Sequence, residues 1–318
     1  MDSTFVVGID VGGQTSKLGV VDARGTVLAQ TVIRTDTYDQ VEPYIAELAE
    51  AVNKLIRESG TEGKVRGIGV GAPNGNYYTG TIENAPNLLW GRQRVEFSKL
   101  LSEAMGGLPV ALTNDANAAA VGEMTYGAAR GMKNFIMITL GTGVGSGIVI
   151  NGEVVYGHDG FAGELGHVAA VRNNGRTCGC GKTGCLETYA SATGVARTAR
   201  EWLELTDEPS VLRSLDNIAS KDVYEAAKDG DKLALKIFEF TGKILGRSFA
   251  DFIAFSSPEA IVLFGGLARA KEFLNGPIEE AMNANVLPLW RGKVKIVFSQ
   301  LKESDAAILG ASALAWEL

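Results

Sequence analysis

The sequence predicts an α/β protein of two similar domains, and three observations carry that prediction. At 318 residues the chain is too long for one small domain and suits two of roughly 100–200 residues each. Apolar runs of strand length are interspersed with segments of helical period. One plan occurs twice, about 130 residues apart: a strand, a glycine-rich turn, a second strand, and a turn into a third. Two copies cannot build a solenoid; they point to two related α/β domains with a cleft between them.

The first copy opens with the strand FVVGIDV (Phe5–Val11). The turn GGQTS follows, then the strand KLGVVD (Lys17–Asp22), then Ala23-Arg24-Gly25 and a third strand, TVLAQTVI. A helix is predicted over about Asp39–Ser59, where Ile45, Leu48, Val52, Leu55 and Ile56 recur at helical spacing. The strand GIGVGAP (Gly67–Pro73) is next, and later a strand VALTND (Val110–Asp115) runs into an alanine-rich helix. The second copy begins at Phe135 with FIMITL, GTGVG and GSGIVI. Asn151-Gly152, a strong hairpin signal, then leads into EVVYG. A cysteine-rich loop (Arg172–Leu186) and helices to about Phe255 follow. A strand AIVLF ends at Gly265-Gly266, and a helix, the strand VKIVFS and a terminal helix close the chain. The predicted division is a smaller N-terminal domain of residues 1–115, with the helix 305–318 packing back on it, and a larger domain of residues 116–304 carrying the cysteine loop.

Bulk properties exclude several classes. Hydrophobic residues are 46% and charged residues 21%, so the chain is globular rather than disordered. The net charge is −7, with no Lys/Arg cluster, which argues against a nucleic-acid partner. No segment approaches 18 consecutive apolar residues, so no membrane span is expected. The start, Met-Asp-Ser-Thr before an apolar strand, lacks the basic region and cleavage site of a secretory signal. The three cysteines fall within eight residues and do not make a disulfide framework, so a reducing, cytoplasmic location is expected. Glycine is enriched, 40 of 318 or about 13% against a usual ~7%, and gathers in the turns.

Those turns carry chemistry. In Gly12–Ser16 and Gly141–Gly145 the backbone N–H groups can converge on one anion, because glycine tolerates positive φ and close approach. Either turn alone reads as a tight hairpin; two of them favour phosphate. Neither is a Walker motif or a dinucleotide fingerprint. Asp115, preceded by Asn114, stands where a strand meets a helix. It reads either as an N-cap or as a general base that takes a proton from an attacking hydroxyl, a role worth roughly 10²- to 10⁴-fold. Asp10, ending the first strand, is a candidate to orient Mg²⁺ through water, or else a turn cap. The run His167-x10-Cys178-x-Cys180-x4-Cys185 offers an imidazole and three thiolates, the donor set of a structural zinc site. Four protein ligands leave zinc no open position, which excludes a zinc hydrolase. Glu164 and Glu187 flank this loop and read either as acceptors of hydrogen bonds from a polyol or as surface glutamates near a loop. His167 can bind metal through one nitrogen and donate from the other.

These motifs together identify the chain as resembling the ROK family (repressor, open reading frame, kinase), and within it the bacterial glucokinases. The resemblance spans essentially the whole chain and rests on GIDVGGQTSKLGVVD, GVGAPNGNYYTGTIENAPNLLW, LTNDANAAAVGE, ITLGTGVGSGIVINGEVVYG, ELGH, CGCGKTGCLETYAS and IVLFGG. It implies the actin/hexokinase-like (ribonuclease H-like) two-domain fold with an interdomain cleft, and ATP-dependent phosphorylation of a hexose with Mg²⁺ and structural Zn²⁺. It implies that Asp115 is the base, that Asn114, Asp115, Glu164, His167 and Glu187 hold the sugar, and that His167, Cys178, Cys180 and Cys185 bind zinc. Gly12, Gly13 and Gly141, Thr142 and Gly143 would line the phosphates, with Gly265 and Gly266 near adenosine. Family members are usually homodimers or homotetramers.

In one place the chain departs from the family. The family commonly has Asp-x-Gly-Gly-Thr-Lys, whereas Gln14 and Thr15 follow Gly13 here; the threonine's role then passes to Thr15 or is lost. Asn74, Gly75 and Thr81 are further expected near the sugar. With the first strand at Phe5, no DNA-binding module is expected ahead of it. Other expected substrates are mannose, fructose or an N-acetylhexosamine, with ATP or polyphosphate as donor. The reading from a different class is a non-catalytic sugar sensor.

Overall fold

The computed structural model describes residues 4–318; the expected absence of a secretory signal rests partly on residues 1–3, outside that range. Strands β1 (Phe5–Val11), β2 (Thr15–Asp22) and β3 (Val27–Arg34) form an antiparallel meander. Helix α1 (Val41–Glu58) crosses to β4 (Val65–Gly71), which pairs parallel to β1. A hairpin, β5 (Gly75–Asn76) and β6 (Thr81–Ile82), and helix α2 (Phe97–Ala104) precede β7 (Val110–Thr113), parallel to β4. Helix α3 (Asp115–Tyr126) follows.

The plan repeats from β8 (Phe135–Leu140), antiparallel to β9 (Val144–Ile150), and β10 (Glu153–Val154). Helices α4 (Glu187–Ala190), α5 (Ala192–Leu205), α6 (Ser220–Lys228) and α7 (Lys232–Ser256) lead to β11 (Ala260–Phe264), parallel to β8. Helix α8 (Lys271–Asn285), β12 (Lys295–Phe298) and α9 (Glu303–Leu314) end the chain. The sheet orders are β3-β2-β1-β4-β7 and β10-β9-β8-β11-β12, so the repetition read in the sequence is a repetition of topology.

Burial explains the patterning. In β1 five of seven residues are buried, a near-continuous apolar run, whereas β3 alternates half-buried and exposed as an edge strand does. Helix α1 buries Tyr44, Ile45, Leu48, Ala49, Val52 and Leu55 on one face against the first sheet. A second core gathers on the other sheet around Phe238, Phe249, Ile261 and Leu263.

The chain folds as two compact units. One takes the chain up to Met132 together with Glu153–Gly163 and Gln300–Leu318; the other takes Lys133–Gly152 and Glu164–Ser299. The sequence reading put the boundary at residue 115. Helix α3 instead belongs to the first unit because it packs on α9, where a Cβ on Gly122 would lie 2.7 Å from the Gly310 Cα. Helix α9 lies as closely over the sheet: a Cβ on Gly69 would meet the Ala311 carbonyl at 1.9 Å. The predicted strand EVVYG is reduced to Glu153–Val154, since Tyr156 leaves it to stack on Tyr77 at 4.1 Å. The β5–β6 hairpin was not foreseen; it begins after Asn74, which adopts φ 52°.

Candidate active site

In the first unit the candidate groups gather where parallel strands end, the usual place for ligands in such sheets. Asp10 stands opposite Gly71 in register, and Gly71 opposite Thr113. Asp115 follows Thr113 by two residues. Gly71 carries no side chain between them, and its absent Cβ would sit 3.1 Å from the Ala118 Cβ. Asn114, not Asp115, is the N-cap of α3: its Oδ1 accepts the Asn117 N–H at 2.7 Å. Asp115 accepts the adjacent Ala116 N–H, at 2.8 Å. Water reaches Asp115, yet protein crowds it closely enough that desolvation raises its carboxyl above the ordinary range. Asp10 is raised from 3.8 to about 6, first by desolvation and then by repulsion from Asp115, against a lowering by Lys17.

This has a testable consequence for stability. A folded-state value above the unfolded one means that the native chain binds the proton more tightly, so stability falls as pH rises from about 4 to about 6. Asp10→Asn removes that penalty. Above pH 6 the variant is expected to be more stable by about 1–3 kcal/mol, with solvent screening trimming the upper end, and the acid-side slope should flatten. Urea titrations at pH 4.5 and 7.5 check this; a variant equally or less stable at pH 7.5 contradicts it.

The glycine turn after β1 is closed by the Gly12 N–H on the Thr15 carbonyl at 3.1 Å. A Cβ on Gly13 would come within 2.9 Å of the Asn87 carbonyl, a neighbour the sequence did not suggest. The Gln14 carbonyl accepts from Thr35 N–H at 2.9 Å, tying the turn to the end of β3. Thr15 begins β2 and is half-buried. Asn74 donates its amide to the Glu83 and Asn84 carbonyls at 3.0 and 2.9 Å. Gly75 is buried with no room for a Cβ against the Thr113 carbonyl, and Thr81 is buried and donates to Glu83 Oε1 at 2.6 Å. All three brace the hairpin beside β7.

In the second unit two glycine turns leave neighbouring parallel strands, β8 and β11, whose ends pair Thr139 with Phe264. Gly141, Thr142 and Gly143 form the first, with the Gly141 N–H on the Gly143 carbonyl at 3.0 Å. Gly265 has φ 101° and its absent Cβ would lie 2.6 Å from the Leu140 carbonyl; Gly266 faces open space. A recess of about 270 Å³ opens there, lined by Gly266, Arg269, Lys221 and Tyr224 among others. Its α6 side was missed at the sequence level because nothing there departs from an ordinary amphipathic helix.

Glu164 precedes a single 3₁₀ turn, Leu165–His167, which lies on β9 so closely that a Cβ on Gly166 would meet the Val144 carbonyl at 1.9 Å. This turn presents His167 to the cysteines. The ligand atoms of His167, Cys178, Cys180 and Cys185 all lie within 4.8 Å of one another. Cys178 Sγ is 3.7 Å from His167 Nδ1, and Cys180 Sγ is 3.7 Å from Cys185 Sγ. Ligands at 2.0–2.3 Å around tetrahedral zinc are roughly 3.3–3.8 Å apart, so these two separations match that ion; a disulfide at about 2.05 Å does not fit the cysteine pair. Nδ1 faces the cluster, which leaves Nε2 for another partner. Backbone donation from Lys182 lowers the Cys180 thiol, while burial pushes Cys185 up to about 12. Glu187 Oε2 accepts the Val144 N–H at 3.0 Å, beside the Gly141–Gly143 turn.

Residues 6–317 match the model of the ROK family. The chain belongs to the ROK family. Its curated relatives include the glucokinase of Halalkalibacterium halodurans, 38% identical over 98% of this chain and 94% of that one. A ROK family glucokinase from Streptomyces griseus, solved with glucose and AMPPNP, superposes with a TM-score of 0.80 at 32% identity, covering 99% of this chain and 100% of that one. A ROK family transcriptional regulator superposes at 0.88 with 28% identity, covering 98% of this chain and 78% of that one. The fold is therefore the actin/hexokinase-like α/β fold of ROK kinases. No helix among the described residues is long and apolar enough to cross a membrane.

Proposed function

We infer that the chain is an ATP-dependent sugar kinase of the glucokinase type, producing hexose 6-phosphate and ADP. The observation that carries the mechanism is the pair of mutually repelling carboxylates, Asp10 and Asp115, at the ends of parallel strands in the first unit. Asp115 spends one bond on its neighbour's N–H and keeps carboxylate capacity for a substrate proton. Its raised carboxyl makes it a stronger base, in its ionised form, than an ordinary aspartate. The proton of the sugar 6-hydroxyl passes to Asp115, the oxygen attacks the γ-phosphorus in line, and the bond to the ADP oxygen breaks.

Asn114, Asp115, Glu164, His167 and Glu187 are proposed to hold the sugar. The turns at Gly12–Gly13, with Thr15, and at Gly141–Gly143 are proposed to take the phosphates, and the recess at Gly265–Gly266 the adenosine. Asp10 would orient a magnesium ion through water, and that ion would neutralise charge on the phosphates. Zinc in the His/Cys set would be structural, since all four positions are protein ligands. The assembly is proposed to be a homodimer or homotetramer of cytoplasmic location, without nucleic-acid or membrane partners.

Glucose is the proposed acceptor, in line with relatives named as glucokinases. Phosphorus NMR of protein, glucose and Mg-ATP should show glucose 6-phosphate appearing as ATP is consumed. No product with any hexose, while glucose still binds, would move the reading to a sugar sensor.

A further inference from the structure

The His/Cys cluster and the turn Gly141–Gly143 are far apart in sequence, and residues 187–193 join them. Glu187 follows the cluster residue Cys185 by two and closes one side of the turn through the Val144 N–H. The start of α5 grips the other side. Ala192 N–H donates to the Gly141 carbonyl at 2.8 Å, and Thr193 Oγ1 donates to the Thr142 carbonyl at 2.8 Å. Ser191 caps α5 and donates to the Glu187 carbonyl at 2.7 Å, linking the two grips. The cluster's loop is itself fixed to α5. Arg176, two residues before Cys178, donates to the Thr188 carbonyl at 2.8 Å and to Thr198 Oγ1 at 2.9 Å, and lies over the Tyr189 ring.

Peptide planarity turns this grip into an orientation. In a trans peptide the C=O of one residue and the N–H of the next point in opposite directions. Tying the Gly141 and Thr142 carbonyls to α5 therefore aims the N–H groups of Thr142 and Gly143 away from α5, side by side, as an anion-binding concavity requires. Left unheld, glycine-flanked planes would rotate freely.

We propose that Thr193 and Glu187 are positioning residues that set the peptide planes of this turn for the nucleotide phosphates, Thr193 at the Thr142–Gly143 plane and Glu187 at the Gly143–Val144 plane that follows it, and that the metal-bearing loop holds them in place. The inference rests on the reading of Gly141–Gly143 as a phosphate turn. Among the described residues Thr193 Oγ1 bonds the Thr142 carbonyl and Ser191 Oγ rather than a proposed sugar ligand, so its effect separates nucleotide from sugar binding.

The test uses the zinc-loaded full chain and isothermal titration with Mg-AMPPNP and, separately, with glucose. Thr193→Ala should weaken AMPPNP binding about fivefold, the loss of one hydrogen bond, and leave glucose affinity unmoved. Thr193→Ser should restore the wild-type value, and KM for ATP should rise in the alanine variant with KM for glucose unchanged. Glu187→Ala should weaken AMPPNP more than Glu187→Gln, whose amide oxygen can still accept the Val144 N–H. Removing zinc from the wild type should weaken AMPPNP as well. An AMPPNP affinity within twofold of wild type for Thr193→Ala overturns the proposal. So does an equal loss for both ligands, or a serine variant no better than alanine. A wild type that binds glucose but not AMPPNP overturns the phosphate reading itself.

Discussion

Asp115→Asn is expected to lower kcat by roughly 10²- to 10⁴-fold, the usual worth of a positioned general base, while glucose still binds. The isosteric amide can keep the 2.8 Å bond from the Ala116 N–H, so the start of α3 is preserved and the loss is chemical. Asn114 remains as the cap, which removes unravelling of α3 as a competing cause. Asp115→Ala should lose as much turnover. In the wild type, the acid limb of kcat/KM should lie above the ordinary carboxylate range near 4, because desolvation raises the Asp115 carboxyl. Turnover falls as pH drops through that value, since the protonated acid cannot accept the hydroxyl proton. Titration calorimetry with glucose and steady-state kinetics separate the two effects. A variant with near-normal kcat would remove Asp115 from the chemistry.

Cys180→Ser is expected to strip zinc from the protein, loosen the sugar site and lower thermal stability by several degrees. Cys180 is the exposed member of the cluster, whereas Cys178 and Cys185 are buried. Its substitution disturbs little packing, and the effect reports the metal. Removing one thiolate from a four-ligand set leaves zinc a protein site of three ligands, weaker and open to water. His167 and Glu187, both proposed to meet the sugar, border the same loop, so glucose affinity should fall with zinc content. Metal analysis and glucose titration of one preparation decide the matter; full zinc occupancy in the variant would end the ligand assignment.

Much of this was legible in the residues, for physical reasons that differ by element. The repeated strand–glycine–strand plan appeared as two sheets of one topology because β1 and β8 are buried almost throughout and their turns must bend sharply. The convergence of His167 with the three cysteines was legible because cysteines so close in sequence have few other uses. The division of the chain was harder to read. Helix α3 joins the first unit through contacts with α9, nearly 200 residues later, and no local pattern records that. Asn74 and Thr81, expected near the sugar, have carbonyl and carboxylate partners within a hairpin that no local pattern announced. Ala192 and Thr193 look in sequence like an ordinary helix start, and their grip on the turn at Gly141 is visible only in three dimensions.

The most direct test of the account is ADP release from Mg-ATP over a panel of hexoses and hexosamines, with Asp115→Ala as the blank. The account predicts release that depends on Asp115 and is strongest with glucose. Release that the alanine variant matches, or silence with every sugar while glucose binds, would contradict it.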